Sequence, residues 1–466
     1  MPHRQTHSPG PQILQKKPTI PTARFVAAQT LCRLYVDRSP VKPLLQQGIR
    51  KYTLPGIERN LAMQLVYGVL RNRQYLDRII ELLSTTPLAK IDPFIHQVLA
   101  VGLYQLFFLE RIPQSAAVDE MVECCKVQKI PKRLWGFVNG ILRQSIRQKE
   151  ALTVRARFMK DGGPVVNHPE WLFTRWQDHF GREEALRICA ANNREPVLVL
   201  RTNGEKIGRD DFCLLLTEAG ITAQPGSYAP EAVVLPEYQG GIPAIPGFAE
   251  GLFQVQDEAA QLATALLGPF RRGGRYLDGC AGLGGKTTHL LQFAADHALD
   301  VHAVEPEIYR LEKLRENLIR LGKAPAVHIH AKNLQQFAAE DGQFFDGILI
   351  DAPCSGTGVT GRHPDIRWNR RPEDLCRYQE EQLDILHHAA ALLAPGGVLV
   401  YATCSLEPEE NHQLITAFLA GHRSLHLTDC SEHLPEAARR FIVDRCFAPR
   451  PDATIDGFFA ARMQRR

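Results

Sequence analysis

The sequence predicts three folded parts: an all-α front, a small α+β middle module, and a carboxy-terminal α/β domain built on a doubly wound parallel sheet. From about Pro21 to Ile146, apolar residues recur at three- and four-residue spacing, as in ARFVAAQTLCRLYV, NLAMQLVYGVLRNRQYLDRIIELL and FIHQVLAVGLYQLFFL. That is the period of an amphipathic helix. Strand-like alternation is nearly absent there, and Pro40, Pro43, Pro55, Pro87, Pro93, Pro113 and Pro131 fall between the runs, where proline starts or stops helices. From Leu252 onward apolar strands and helices alternate, which implies crossover units and a parallel sheet covered on both faces.

At about 100 to 200 residues per domain, 466 residues give two to four domains. The expected division is a flexible tail over 1–20, the helical domain over 21–160, the middle module over 165–250 and the α/β domain over 251–466. With 44% hydrophobic and 23% charged residues, the chain is neither a disordered nor a fibrous protein. The densest apolar run, Val98 to Leu109, is broken by Gly102 and Gln105 and falls short of the roughly 20 residues of a membrane span. The polar, proline-rich start does not read as a secretion signal. Eleven scattered cysteines with no C-x-x-C pair argue against a disulfide framework and a zinc ribbon. Reduced thiols, a cytoplasmic location and no metal are therefore expected.

Charge is unevenly spread. Residues 1–150 hold 22 Lys+Arg against 10 Asp+Glu, whereas the remainder holds 33 against 41. A basic front of that size is the electrostatic footprint of a phosphate-backbone binder; a solvated helix surface rich in arginine is the alternative. Arg59, Arg71, Arg73, Arg78, Arg133 and Arg143 punctuate it, some at helix ends and loops open to a nucleic acid.

The middle module, about Asn167 to Gly247, reads as a helical stretch (WLFTRWQDHFGREEALRICAANN), a strand (PVLVLRTN), a helix (RDDFCLLLTEAG) and a proline- and glycine-rich exit. In the α/β domain the strands are RYLDGCAG, VHAVEP, AVHIHA, GILIDAP and GGVLVYATCS, with helices from Lys286, from Glu307 to Leu321 and from Glu373 to Leu393. This is a Rossmann-like pattern, in which ligands bind beyond the carboxyl ends of the strands. Every chemically suggestive residue lies at such an end.

After the first strand comes Asp278-Gly-Cys-Ala-Gly-Leu-Gly-Gly-Lys286-Thr287, a turn whose Gly282, Gly284 and Gly285 let the backbone approach a ligand. A P-loop requires G-x-x-x-x-G-K-[ST], and Cys280 stands where its first glycine belongs. Ile348-Leu-Ile-Asp351 also resembles a strand-end magnesium aspartate, so an NTP-hydrolysing enzyme is a rival. The second strand ends at Glu305, about twenty residues past the loop, where an acid suits the two ribose hydroxyls of a nucleotide. Such an acid, with an incomplete phosphate cradle, fits an adenosine ligand without polyphosphate, S-adenosylmethionine above all; the other reading is a surface glutamate.

Strand four ends in Asp351-Ala-Pro-Cys354-Ser-Gly-Thr-Gly and strand five in Tyr401-Ala-Thr-Cys404-Ser. A lone cysteine is commonly an inert core residue. Two at neighbouring strand ends, beside a loop that suggests adenosine, suit methylation at carbon 5 of a pyrimidine. That carbon becomes nucleophilic only once a thiolate has added to carbon 6, so the reaction asks for one activated thiolate and a second group that helps elimination. The base must leave its stack to reach the pocket. Methylation of an exocyclic amine favours an Asp/Asn-Pro-Pro-aromatic tetrad, and here a thiol replaces the aromatic.

With these motifs the chain resembles the bacterial small-subunit ribosomal RNA cytosine-5 methyltransferase B family, known as RsmB, Sun or Fmu. The resemblance runs nearly full length, through a NusB-like front (RQYLDRIIE, FVNGILR), the middle block (HPEWLFTRW, ANNREPVLVLRTN, PGFAEGLFQVQDEAAQ) and DGCAGLGGKTTH, DAPCSGTGVTGRHPDIRW, YATCSLEPEEN and DGFFAARM. It implies that Cys404 is the nucleophile, that Cys354 assists product release, and that Asp351 faces both cofactor and cytosine. It further implies that Cys280, Ala281, Gly282, Leu283, Gly284, Gly285 and Lys286 wrap the methionine and ribose of S-adenosylmethionine, and that Glu305 is the ribose acid. Two departures stand out. The family loop usually reads C-A-A-P-G-G-K, so here the rigid proline is gone and a flexible glycine is added; and the family's adenine-binding aspartate is matched by Asn333, whose amide oxygen can still accept a hydrogen bond. The implied partner is small-subunit ribosomal RNA before the particle is complete, with no membrane and no required oligomer. A binding protein, with an RNA-docking front and a silent methyltransferase shell, is the third reading.

Overall fold

The structure, a computed structural model, describes residues 22–340, 342 and 344–466, so the tail expected over 1–20 lies outside the described residues. The chain forms two compact units that divide after Val165.

The first unit is built of helices, with a single antiparallel bridge, Phe158 to Pro164, among its described residues: α1 (Ala23–Asp37), α2 (Val41–Lys51), α3 (Gly56–Arg71), α4 (Arg73–Leu83), α5 (Pro93–Phe108), α6 (Gln114–Val127), α7 (Lys132–Arg147) and α8 (Lys149–Arg155). The apolar stripes close on one another through Leu31, Leu65, Ile79, Val98, Leu99, Met121, Val138 and Leu142, all fully buried. α5 is the central helix, and its start is sharply set: Pro93 takes the first position and Asp92 accepts the N–H groups of Phe94 and Ile95. Four of the six punctuating arginines serve the fold. Arg71 is buried, Arg59 donates to the Leu54 carbonyl (3.0 Å), Arg73 lies 4.1 Å over the Tyr35 ring, and Arg78 donates to the Phe158 carbonyl (3.0 Å) and pairs with Glu81 (3.0 Å). Arg133 and Arg143 remain exposed on α7.

The second unit begins with α9 (Glu170–Phe180) and α10 (Arg182–Asn192), where the sequence suggested one helical stretch; Gly181 between them sits at φ +83°, which breaks the helix. Then come β1 (Leu198–Thr202), α11 (Arg209–Glu218), β2 (Gln224–Pro225), β3 (Ala232–Leu235) and β4 (Phe253–Val255), forming an antiparallel sheet in the order β2-β3-β1-β4. The sheet extends past residue 250 because β4 brings Phe253 onto Phe212, ring centroids 5.5 Å apart, in the module's own core.

The larger sheet follows, with α12 (Glu258–Ala265), β5 (Arg275–Asp278), α13 (Gly285–His297), β6 (Asp300–Val304), α14 (Ile308–Leu321), β7 (His328–His330), α15 (Leu334–Glu340), β8 (Phe345–Asp351), α16 (Ile366–Asn369), α17 (Pro372–Ala391), β9 (Leu393–Thr403), α18 (His412–Gly421), β10 (Leu425–Leu427), β11 (Ile442–Val443), β12 (Cys446–Phe447) and β13 (Phe459–Arg465). The strand order is β11-β12-β13-β9-β8-β5-β6-β7, with β10 also on β13. From β9 to β7 the strands are parallel, as expected. At the other end the sheet is mixed, because β13, which is not among the expected strands, pairs antiparallel with β9. DGFFAARM is thus a sheet strand, with Phe459 to Met463 buried. Strand order reverses beside β5, which opens a crevice at the carboxyl ends of β5 and β8.

Candidate active site

β5 ends at Asp278, and the chain turns through the glycine loop into α13. The turn is held by Ala281 N–H to the Val304 carbonyl (3.0 Å), Gly282 N–H to Glu305 Oε2 (2.9 Å), Gly284 N–H to the Ala281 carbonyl (2.8 Å) and Asn317 Nδ2 to the Leu283 carbonyl (2.9 Å). Gly282 and Gly284 lie at φ +56° and +87°, left-handed conformations that suit glycine. The added glycine is therefore pinned, not loose. A Cβ at Gly282 would meet nothing within 4 Å, so the loop faces open space, while Leu283 is exposed. Glu305 is buried beside it and takes the Glu307 N–H on its other oxygen (2.9 Å).

At the start of α13, Lys286 is buried and its Nζ donates to Asp351 Oδ2 (2.6 Å), tying the loop to the end of β8. Below, burial pushes the Asp278 carboxyl up to about 6, although Thr287 Oγ1 donates to it (2.7 Å). Desolvation, with Asp278, Asp351 and Glu305 adding, holds the Cys280 thiol well above its usual range. Asn333 stands apart: it is exposed, and its Oδ1 accepts the Gln336 N–H (2.8 Å) at the start of α15. That use as a helix cap competes with the expected adenine contact.

β8 and β9 run parallel with Asp351 beside Ala402, and both chains leave toward the same end. Cys354 Sγ and Cys404 Sγ meet there at 3.3 Å, both reduced and partly exposed. The hydrogen bond with Cys404, then desolvation and the charge of Glu410, push the Cys354 thiol well above its usual range. The two sulfurs are thus within hydrogen-bond reach of each other, and either can be the donor.

The residues after the two cysteines share one carboxylate, which sequence reasoning missed. Glu410, fully buried, accepts the Ser355 N–H (2.8 Å) and Gln382 Nε2 (3.0 Å) on one oxygen and the hydroxyls of Ser355 and Ser405 on the other. The Cys-Ser doublet at both strand ends was the available signal for the serines; Glu410 is hidden among Glu407 and Glu409. The Cys404 carbonyl accepts the Gly358 N–H (2.9 Å), and a Cβ at Gly358 would lie 2.3 Å from the Gly457 carbonyl oxygen. Glu407 accepts Arg175 Nε (2.9 Å) and Trp176 Nε1 (3.1 Å), binding α9 to the segment after Cys404. Arg367, fully buried, donates to the carbonyls of Asn167, Asn192 and Thr360.

Comparisons with known proteins place the chain among its relatives. Residues 265–464 match the family described as 16S rRNA methyltransferase RsmB/F, residues 21–147 match the NusB family, and residues 168–239 match the ferredoxin-like domain of RsmF/B-like methyltransferases. The ribosomal RNA small subunit methyltransferase B of Salmonella typhi is 41% identical over 406 residues, 85% of this chain and 89% of that protein. This chain belongs to the 16S rRNA methyltransferase RsmB/F family. Among solved structures, PH0851 superposes with a TM-score of 0.74 at 22% identity, over 97% of this chain and 100% of that one, a likeness of fold. A methyltransferase homologue from Pyrococcus horikoshii gives 0.54 at 28% identity, over 65% of this chain and 96% of its own.

As an RsmB/F enzyme the protein is S-adenosylmethionine-dependent, and the strand-end residues fit that cofactor. A buried acid beside a loop that is open at Gly282 suits a ribose diol. The P-loop alternative fits poorly, because the Gly282 N–H turns onto Glu305 and Lys286 onto Asp351 where a phosphate cradle needs free donors. No helix among the described residues is long and apolar enough to cross a membrane.

Proposed function

We propose that this enzyme methylates carbon 5 of one cytidine in small-subunit ribosomal RNA, in the cytoplasm and before the particle is complete, through a covalent bond between Cys404 and carbon 6. The observation that carries the reading is the sulfur pair at the ends of two parallel neighbours, 3.3 Å apart. S-adenosylmethionine, held by the loop from Cys280 to Lys286 and by Glu305, supplies an electrophilic methyl group. Cys404 Sγ adds to carbon 6 of a base turned out of its stack, and the electron pair displaced to carbon 5 makes that carbon nucleophilic. Asp351, at the end of β8, faces the ring and accepts from the exocyclic amine, which separates cytosine from uracil. Methyl transfer leaves S-adenosylhomocysteine; the carbon 5 proton then passes to solvent water, the electrons of that C–H bond re-form the ring double bond, and Cys404 is expelled as a thiolate. Cys354, already hydrogen-bonded to that sulfur, stabilises it as it departs.

RNA is held by the helical front. Lys132, Arg133, Arg143 and Arg147 share one exposed face of α7, and Gly136 and Gly140 on that face let a phosphate backbone come close. The deciding experiment is bisulfite sequencing of ribosomal RNA from cells with the unaltered chain, Cys404→Ala or Cys354→Ala. The first substitution abolishes the mark, and the second slows turnover and accumulates a protein–RNA adduct stable to denaturant; full methylation by Cys404→Ala refutes the mechanism.

A further inference from the structure

The opposite, amino-terminal end of the sheet carries a cluster that this reaction does not use. Asp300 opens β6, His302 follows two residues later and so leaves the same face, and His328 opens β7 in register with His302. Asp300 Oδ1 lies 3.2 Å from His302 Nε2 and 3.3 Å from His328 Nε2, and the three atoms all lie within 4.8 Å of one another. His302 is only 5% exposed, yet its Nε2 has no hydrogen-bond partner, since it stands beside the Asp300 oxygen but off the line that an N–H···O bond requires. A buried ring nitrogen left in that state is costly unless something else occupies it.

We propose that Asp300, His302 and His328 form a binding site for a divalent transition-metal ion of zinc's class. Nitrogen and oxygen ligands about 2.0 to 2.1 Å from tetrahedral zinc stand roughly 3.3 to 3.4 Å from one another. Two edges of the cluster already have that length. His328 is exposed and free to swing in to close the third, and its open side leaves the fourth position to water. The surrounding bonds orient the ligands. His302 Nδ1 lies 3.0 Å from His330 Nε2, and with Nδ1–H donating, the lone pair of Nε2 is directed at the cluster. Arg275 Nε donates to Asp300 Oδ2 (3.0 Å), which leaves Oδ1 for the ion. Two imidazoles and one carboxylate favour zinc, nickel or copper over magnesium or calcium. The site runs against the expectation of a metal-free chain. It clamps the edge strand β7 to β6, whose far end leads into Glu305.

The test is calorimetric titration of the full chain, freed of metal by a chelator, with zinc chloride. Cys354 and Cys404 can also take zinc, so the comparison lies between the unaltered chain and His328→Ala, whose side chain is exposed and whose loss spares the fold. His328→Ala loses one zinc equivalent or binds it at least about tenfold more weakly, and His330→Leu, which keeps all three ligands, binds about tenfold more weakly. Zinc also raises the melting temperature of the unaltered chain more than that of His328→Ala. A titration and a melting shift that His328→Ala leaves unchanged overturn the site, and unchanged affinity in His330→Leu overturns the orienting role of that ring.

Discussion

Glu410 is the residue whose replacement tests the catalytic geometry most directly. Its carboxylate accepts four hydrogen bonds, from Ser355 N–H, Gln382 Nε2 and the two serine hydroxyls, and so joins the residues that follow Cys354 and Cys404. Glu410→Gln keeps the volume but replaces one accepting oxygen with an NH2 group, against which both hydroxyls must turn. Hydrogen bonds to a charged group contribute about 1.5 to 3 kcal/mol and neutral ones about 1, so weakening two or three of them costs roughly 2 to 4 kcal/mol of stability. The catalytic consequence is separate. Misplacing a reacting atom by about 1 Å can cost about 10²-fold in rate, so kcat falls by that order at temperatures where the variant stays folded, while KM for S-adenosylmethionine changes little. The assay is transfer of labelled methyl to a small-subunit RNA transcript, read beside a thermal melt. A folded Glu410→Gln chain with unchanged kcat refutes the idea that this carboxylate sets the sulfur pair.

Gly358→Ala drives a methyl group into the Gly457 carbonyl and toward the Cys404 carbonyl, so stability drops by about 1 to 3 kcal/mol in a thermal melt and activity drops with it. Asp278 supplies a pH signature. Its folded value of about 6 lies above the ordinary 3.8, so its contribution to stability is complete below about pH 4 and is lost as pH rises through 6. Relative to Asp278→Asn, the unaltered chain should lose up to about 3 kcal/mol between pH 4 and 7 in paired denaturant titrations. Replacing Arg133, Arg143 and Arg147 on α7 with glutamate weakens RNA binding across sequences and lowers the salt slope by about one for each phosphate no longer neutralised, measured by filter binding at several salt concentrations.

How far the sequence could be read follows from the length of each pattern. β5, β6, β8 and β9 are apolar runs bounded by turn residues, and α14 and α17 show helical spacing over 14 and 20 residues, so both kinds stand out. β2, β11 and β12 are two residues long, too short for any period to register, and their pairing depends on partners distant in sequence. The antiparallel β13 was present only as a motif, because FFAARM is buried on both faces and lacks alternation. In the site, the glycine loop and the cysteines announce themselves by residue type. Glu410 does not, since nothing in a run of glutamates says which one lies under the fold. In the same way the spacing of the six arginines does not say which ones serve the fold, and Arg71 is buried.

The geometry also explains why the two sulfurs sit where a small error would separate them. The ladder between β8 and β9 ends with Asp351 beside Ala402, and Cys354 comes three residues later on one chain whereas Cys404 comes two later on the other. The last backbone bond of the ladder runs from the Ala352 N–H to the Ala402 carbonyl (2.9 Å), two residues short of each cysteine, and a slip of one residue would move a side chain by about 3.3 Å, as much as the whole sulfur separation. Something other than the sheet must fix the offset. Glu410 does so by gripping the residue immediately after each cysteine, and Gly358 does so by its N–H on the Cys404 carbonyl. Both holds lie on the backbone side of the cysteines and leave the sulfurs partly exposed. The arrangement combines a rigid base with reachable thiols, which is what the proposed nucleophile, adding to a ring and then being expelled from it, requires.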